Sequence, residues 1–166
     1  MTLQGEKNFV NTLNPFEINI TAAVTGHRIL KRNFDYIKLL NIFSELIGKG
    51  YKNFLCGMAL GFDAACFKTL EQLRNENSIK IIACLPCSDQ DKFFNEIQKN
   101  EYRRMIDSAD EVILLNKEYF EGCMLKRNDF LIDNSSLLLA YKYCEAGGAA
   151  YTVKNALKKG KIVLYY

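Results

Sequence analysis

Short apolar runs alternate with stretches whose apolar residues recur every three or four positions, from residue 18 to the end of the chain. Runs of the first kind predict strands over residues 18–24, 52–56, 79–85, 111–115, 137–141 and 162–165. Stretches of the second kind predict helices between them. Tyr36, Ile37, Leu40, Phe43 and Ile47 form one stripe over residues 34–48. Phe62, Ala65, Cys66, Thr69, Leu70 and Leu73 form the next. Residues 90–108 read as largely helical, residues 126–134 as a helix or an irregular loop, and residues 150–159 as a last helix opened by Gly147-Gly148. Pro86 ends the third strand and Ala109-Asp110 introduce the fourth.

Strands alternating with helices imply an α/β fold whose mostly parallel sheet is covered on both faces, a Rossmann-like three-layer sandwich. The 166 residues are 49% hydrophobic, enough for one core and one domain, assigned to residues 15–166. Residues 1–14 are polar, lack the apolar centre of a signal peptide and read as a flexible arm. No run of eighteen apolar residues exists, so no membrane partner is expected. Six cysteines without a secretory signal read as reduced thiols in a cytoplasmic protein. The net charge of +3 comes without a basic block, which gives little support to nucleic acid as the main partner.

Chemistry concentrates at the turns that follow strands. Such turns gather along the carboxyl edge of a parallel sheet, where ligands settle. Thr25-Gly26-His27-Arg28 follows the first strand; its sole histidine is either a site residue or a turn residue bonded to backbone, with equal weight. Gly57-Met58-Ala59-Leu60-Gly61-Phe62-Asp63 is a glycine-bounded loop of the kind that cradles phosphate, although it has neither the dinucleotide fingerprint nor the lysine of a triphosphatase. Asp63 either complements a helix dipole or accepts hydrogen bonds from ribose or base. Cys84-Leu85-Pro86-Cys87 has no second ligand pair, so buried thiols are favoured over zinc or redox chemistry. By spacing alone, Arg127, Asn128 and Asp133 read as a surface arginine and two caps.

Taken in order, Thr25 to Arg28, Gly57 to Asp63, Pro86-Cys87-Ser88-Asp89-Gln90, Lys126-Arg127-Asn128 with Asp133-Asn134-Ser135, and Gly147-Gly148 with Tyr151-Thr152-Val153 resemble the YpsA-like family of the SLOG superfamily. That superfamily also holds DprA and the LOG-type cytokinin-activating hydrolases. The resemblance spans residues 18–164 and implies a fold that binds nucleotides or nucleotide-derived ligands. Among superfamily members, some sense ADP-ribose-type signals in antiviral defence, others hydrolyse nucleoside monophosphates, and DprA-like ones bind single-stranded DNA.

Carried over residue by residue, the resemblance implies a ligand site of Thr25, Gly26, His27, Arg28, Gly57, Met58, Ala59, Gly61, Asp63, Pro86, Gln90, Arg127, Asn128, Asp133, Gly147, Gly148 and Ala149. Arg127 becomes a phosphate partner whose loss weakens binding and leaves folding nearly intact. The hydrolytic branch resembles Pro-Gly-Gly-x-Gly-Thr-x-x-Glu, where this chain has Ala146-Gly147-Gly148-Ala149-Ala150-Tyr151-Thr152-Val153-Lys154. Lys154 replaces the catalytic glutamate, so no catalytic residue is assigned; Glu145, Asp63 and His27 are the candidates if the chain is an enzyme. No cofactor or metal is expected. The expected partners are a nucleotide-type small molecule and a second copy of the chain. The chain is read as a sensor, carrier or sequestering protein, with nucleotide N-glycosidase and single-stranded DNA binder as alternatives.

Overall fold

A computed structural model describes residues 17–166; the arm expected over residues 1–14 lies outside them. Among the described residues, β1 (Thr21–Gly26), β2 (Asn53–Cys56), β3 (Lys80–Leu85), β4 (Glu111–Leu114), β5 (Leu137–Tyr141) and β6 (Ile162–Tyr165) form one sheet. Its order is β4-β3-β2-β1-β5-β6 and every pairing is parallel. The helices are α1 (Tyr36–Gly48), α2 (Phe62–Arg74), α3 (Glu96–Ser108), α4 (Cys123–Asp133) and α5 (Gly148–Lys158).

The period of two along each strand sorts the core into two layers. Ala22 and Val24 of β1 pack with Leu39, Phe43, Phe67 and Met105, so α1, α2 and α3 cover one face. Ala23, between them in sequence, packs with Leu131, Ile132, Val153 and Ala156 of α4 and α5 on the other. The α/β sandwich read from the pattern is the observed architecture. Fully buried Phe43, Phe54, Phe62 and Phe67 sit in the first layer, each contributing about 2–3 kcal/mol by burial.

Local chemistry sets the element ends. Asp35 caps α1 by accepting from the Ile37 and Lys38 amides at 2.8 and 3.1 Å. Asn95 and Gln98 form a reciprocal capping box at α3. The first strand starts at Thr21, later than the apolar run suggests. Ile18–Ile20 form a 3₁₀ turn because the Thr21 hydroxyl and the Ile20 amide both donate to Glu17 O, at 2.8 and 3.1 Å. The segment left between helix and loop is α4, and it begins at Cys123.

The connections place the site. From β1 the chain steps through β2 and β3 to β4, then returns through α4 to β5 on the opposite flank of β1. The connections after β1 and β5 therefore diverge to opposite faces and leave a crevice at their carboxyl ends. The loop after β2 is stitched to the loop after β1: the Phe62 amide donates to His27 O at 3.1 Å. Gly61, at φ +77°, makes this approach; a β-carbon there would stand 2.3 Å from Arg28 O.

Gly61→Ala is expected to cost about 3 kcal/mol, combining a left-handed backbone with overlap against a carbonyl. Gly122→Ala shares the positive φ but meets open space, and is expected to cost about 1 kcal/mol. Urea unfolding of the two variants checks the contrast; equal losses would remove the packing role given to Gly61.

Candidate functional site

Arg127 and Asn128 lie in the second turn of α4, and both are buried. The Arg127 side chain reaches the carboxyl ends of the neighbouring strands. Its Nη1 donates to Gly57 O and, at 3.4 Å, to Cys84 O; its Nε donates to Asn128 Oδ1 at 2.9 Å. Gly57 is a glycine for this reason, since a β-carbon there would sit 2.6 Å from the guanidinium carbon. Gln90 Nε2 donates to the same Gly57 carbonyl at 3.0 Å and is itself held by the Tyr102 hydroxyl at 3.2 Å. Arg127 is 5% exposed. The surface arginine suggested by spacing is thus a buried one, and the expectation that its loss leaves folding nearly intact is overturned. Its removal would take a donor from the Cys84 carbonyl and the countercharge from a buried carboxylate, at a cost of about 3–5 kcal/mol.

That carboxylate is Asp63, the second residue of α2 and 4% exposed. Its Oδ2 accepts from the Ala59 amide at 3.2 Å, closing the glycine-bounded loop onto the helix. Burial pushes the Asp63 carboxyl up to about 6, against the opposing pull of Arg127, the Ala59 amide and Arg28. Burial also lowers the Arg127 pKa, with Asp63 the strongest influence holding its charge. The two are charge partners in a dry setting.

Above them opens a cleft of about 380 Å³ at the crevice between β1 and β5. It brings together ten of the expected residues: Thr25, Gly26, His27 and Arg28 after β1, Ala59 and Asp63 at α2, Arg127 and Asn128 on α4, and Gly148 and Ala149 on α5. Helix α5 starts here after Gly147, at φ +90°, with no side chain capping it. Its first amides and the positive end of its dipole therefore face an open space. A β-carbon on Gly148 would meet nothing nearer than Asn128 Nδ2 at 3.6 Å. Arg28 is exposed at the mouth.

The other expected residues do not line this cleft. Gly57 and Gly61 shape backbone contacts, and Gln90 braces Gly57 from below. Met58 faces the opposite side of its loop, into a separate concavity. Pro86 is buried beyond β3, its carbonyl accepting from Asn116. Asp133 is at the far end of α4, exposed and paired with Lys159, because ten residues of helix separate it from the N-terminal end of α4. Glu145 is an exposed loop residue paired with Lys142, and Lys154 is exposed on α5.

Tyr143, Met124 and Leu125 line the cleft although the spacing of motifs did not mark them. Tyr143 follows the carboxyl end of β5, the position rule that would have found it. Its hydroxyl donates to Ile29 O at 3.0 Å, and its ring lies 4.0 Å from the His27 ring. Burial, then Lys142 and Lys31, hold His27 below its ordinary pKa, so a neutral imidazole faces the cleft at pH 7. Cys84 and Cys87 are buried free thiols that burial pushes up to about 12, as inert thiols would be.

The model of the YpsA family, described as the YspA SLOG family, matches residues 23–165, and the chain belongs to that family. The uncharacterized SPbeta prophage-derived protein YoqJ of Bacillus subtilis (strain 168) is 36% identical over 117 residues, which is 62% of this chain and 68% of YoqJ. Among solved structures, DprA from Streptococcus pneumoniae superposes with a TM-score of 0.65 at 17% identity, over 89% of this chain and 50% of that one. DprA from Helicobacter pylori, described for its single-stranded DNA binding mode, gives 0.65 at 19% identity, over 92% of this chain and 65% of that one. The Moco Carrier Protein from Chlamydomonas reinhardtii gives 0.51 at 18% identity, over 89% and 75%. The chain thus spans half to just under two thirds of the DprA chains, and the likeness is one of fold.

The Asp63 carboxyl carbon, followed by NMR, is expected to titrate near pH 6, and Arg127→Gln is expected to move that midpoint upward. A folded pKa above the unfolded value near 3.9 means that the contribution present at low pH is lost as pH rises through 6. That loss is up to about 3 kcal/mol between pH 4 and 7, and Asp63→Asn would not show it. A midpoint near 4 would contradict the buried setting.

Proposed function

We propose that the cleft binds a nucleotide or a nucleotide-derived ligand of the ADP-ribose type, and that the protein senses, carries or sequesters it. The observation that carries this reading is the meeting of an open, uncapped α5 N-terminus with buried Arg127 and Asp63 at the divergence of the β1 and β5 connections. An anion is favoured at that helix end. Arg28 supplies an exposed charge at the mouth, and Asn128 and Asp63 offer a donor and an acceptor for ribose or base. The name of the Moco Carrier Protein, similar in fold, agrees with a carrying role.

Catalysis is not part of the proposal. Lys154, in the place of the glutamate of the hydrolytic relatives, is exposed, and Glu145 stands outside the cleft. The single-stranded DNA reading finds support in the fold of DprA, but the adjacent arginines of α3, Arg103 and Arg104, already face carboxylates. Arg104 makes a two-pronged contact with Glu71 at 2.9 Å and two further bonds to Glu101 at 3.0 and 3.1 Å, and Arg103 faces Asp91 at 3.9 Å.

Thermal scans against nucleoside phosphates and ADP-ribose test the proposal. The expected gain is about 2.7 kcal/mol at a hundredfold excess over Kd, with none from unphosphorylated nucleosides. Gly148→Phe, whose β-carbon would meet nothing nearer than 3.6 Å, is expected to abolish the shift and leave the unliganded melt near the wild type. Affinity is expected to fall only shallowly with salt. A slope growing by about −0.7 per added phosphate of an oligonucleotide would favour the DNA-binding reading. Incubation with AMP is expected to release no adenine; turnover lost in Asp63→Asn would make the protein a hydrolase.

A further inference from the structure

A second concavity, of about 220 Å³, opens between α2 and α3. Buried Met58, Tyr102 and Met105 form its floor, with Ala64 and Phe94 at its walls. Ala59 lines both clefts, so they adjoin across one residue of the loop after β2. We propose that this second cleft receives the flat heteroaromatic base of the ligand whose anionic group sits at the start of α5. The inference rests on the nucleotide reading above and adds where the base goes and what recognises it.

Three observations carry it. The floor suits a π-face: two methionine sulfurs are polarizable, and Phe94 and Tyr102 meet edge to face at 5.6 Å, leaving an apolar, ring-lined hollow. The rim suits the edge of a base. Gln98 uses its side-chain oxygen on the Asn95 amide at 3.0 Å, which leaves its amide nitrogen as a donor. Glu101, three residues on and on the same helix face, is kept ionised by hydrogen bonds from Arg104 and Lys68 and retains one lone pair on Oε2 to accept from an exocyclic amine. A donor beside an acceptor matches an aminated heterocycle.

The third observation is the physical link between the clefts. From the floor, Tyr102 bonds to Gln90, Gln90 to the Gly57 carbonyl, and that same carbonyl to Arg127 beneath the anion cleft. At the junction Met58 holds a left-handed backbone at φ +60°, which is rare for a side chain of its size. Strain of this kind concentrates at ligand clamps. It turns the loop so that Met58 faces one cleft while Ala59 borders both.

Methyl-labelled methionine gives each cleft its own reporter: Met58 and Met105 line the second, Met124 the first. AMP carries adenine where ribose 5-phosphate carries its anomeric hydroxyl. In the wild-type protein, AMP is expected to shift all three methyl signals, and ribose 5-phosphate to leave Met58 and Met105 unmoved. AMP shifting Met124 alone would overturn the base subsite and leave the nucleotide reading standing; no shift with either probe would overturn both. Ala64→Phe, which fills the second cleft, is expected to weaken AMP at least tenfold and to keep the affinity for ribose 5-phosphate. Unchanged AMP affinity would overturn the inference.

Discussion

The arrangement depends on one buried cation. The Arg127 guanidinium lies under the carboxyl ends of β2 and β3, and a charge removed from water is tolerated only where fixed dipoles and a countercharge replace hydration. Here the Gly57 and Cys84 carbonyls, the Asn128 oxygen and the Asp63 carboxylate take that part. Each neighbour is constrained in turn. Gly57 must be bare of a side chain, Gln90 must brace the carbonyl that receives the cation, and Asp63 must stay in α2 within reach of its field. A charge held this way acts on the cleft above with little screening.

The topology supplies the rest. Because the connections after β1 and β5 leave toward opposite faces, the described backbone leaves a cleft at the ends of these two strands, and α5 begins beside it. The field of the helix and that of Arg127 add there, and the neutral His27 and the Tyr143 ring close the third side. A polar crevice that presents the uncapped helix amides and Arg28 beside the Arg127–Asp63 pair, flanked across Ala59 by an apolar hollow, fits a molecule with one anionic end and one flat end.

The layer order and all six strands were legible in the sequence, because a parallel sheet buried on both faces leaves continuous apolar runs between helical stripes. The ends were less so. Residues 18–20 are as apolar as a strand, and the Glu17 carbonyl turned them into a 3₁₀ turn. At the site, position was legible and role was not. The glycines of the second turn read as a phosphate cradle; Gly57 instead makes room for Arg127, and Gly61 for the carbonyls after β1. Among the motif glycines Gly26, Gly57, Gly61, Gly147 and Gly148, only the last two face open space. Asp133 was drawn in by its neighbours in sequence, but a helix carried it to the far end. Met124 and Tyr143 carry no motif, since lining a cleft needs only a place at a strand end or a first helical turn.

The central claim is that a phosphate-bearing nucleotide-type molecule occupies the cleft. Mass spectrometry of small molecules released by denaturing the gently purified protein addresses it without choosing a ligand in advance. The account predicts a species with at least one phosphate and one base, recovered near one per chain. Recovery, at that ratio, of a molecule lacking phosphate, or of oligonucleotide alone, would contradict it.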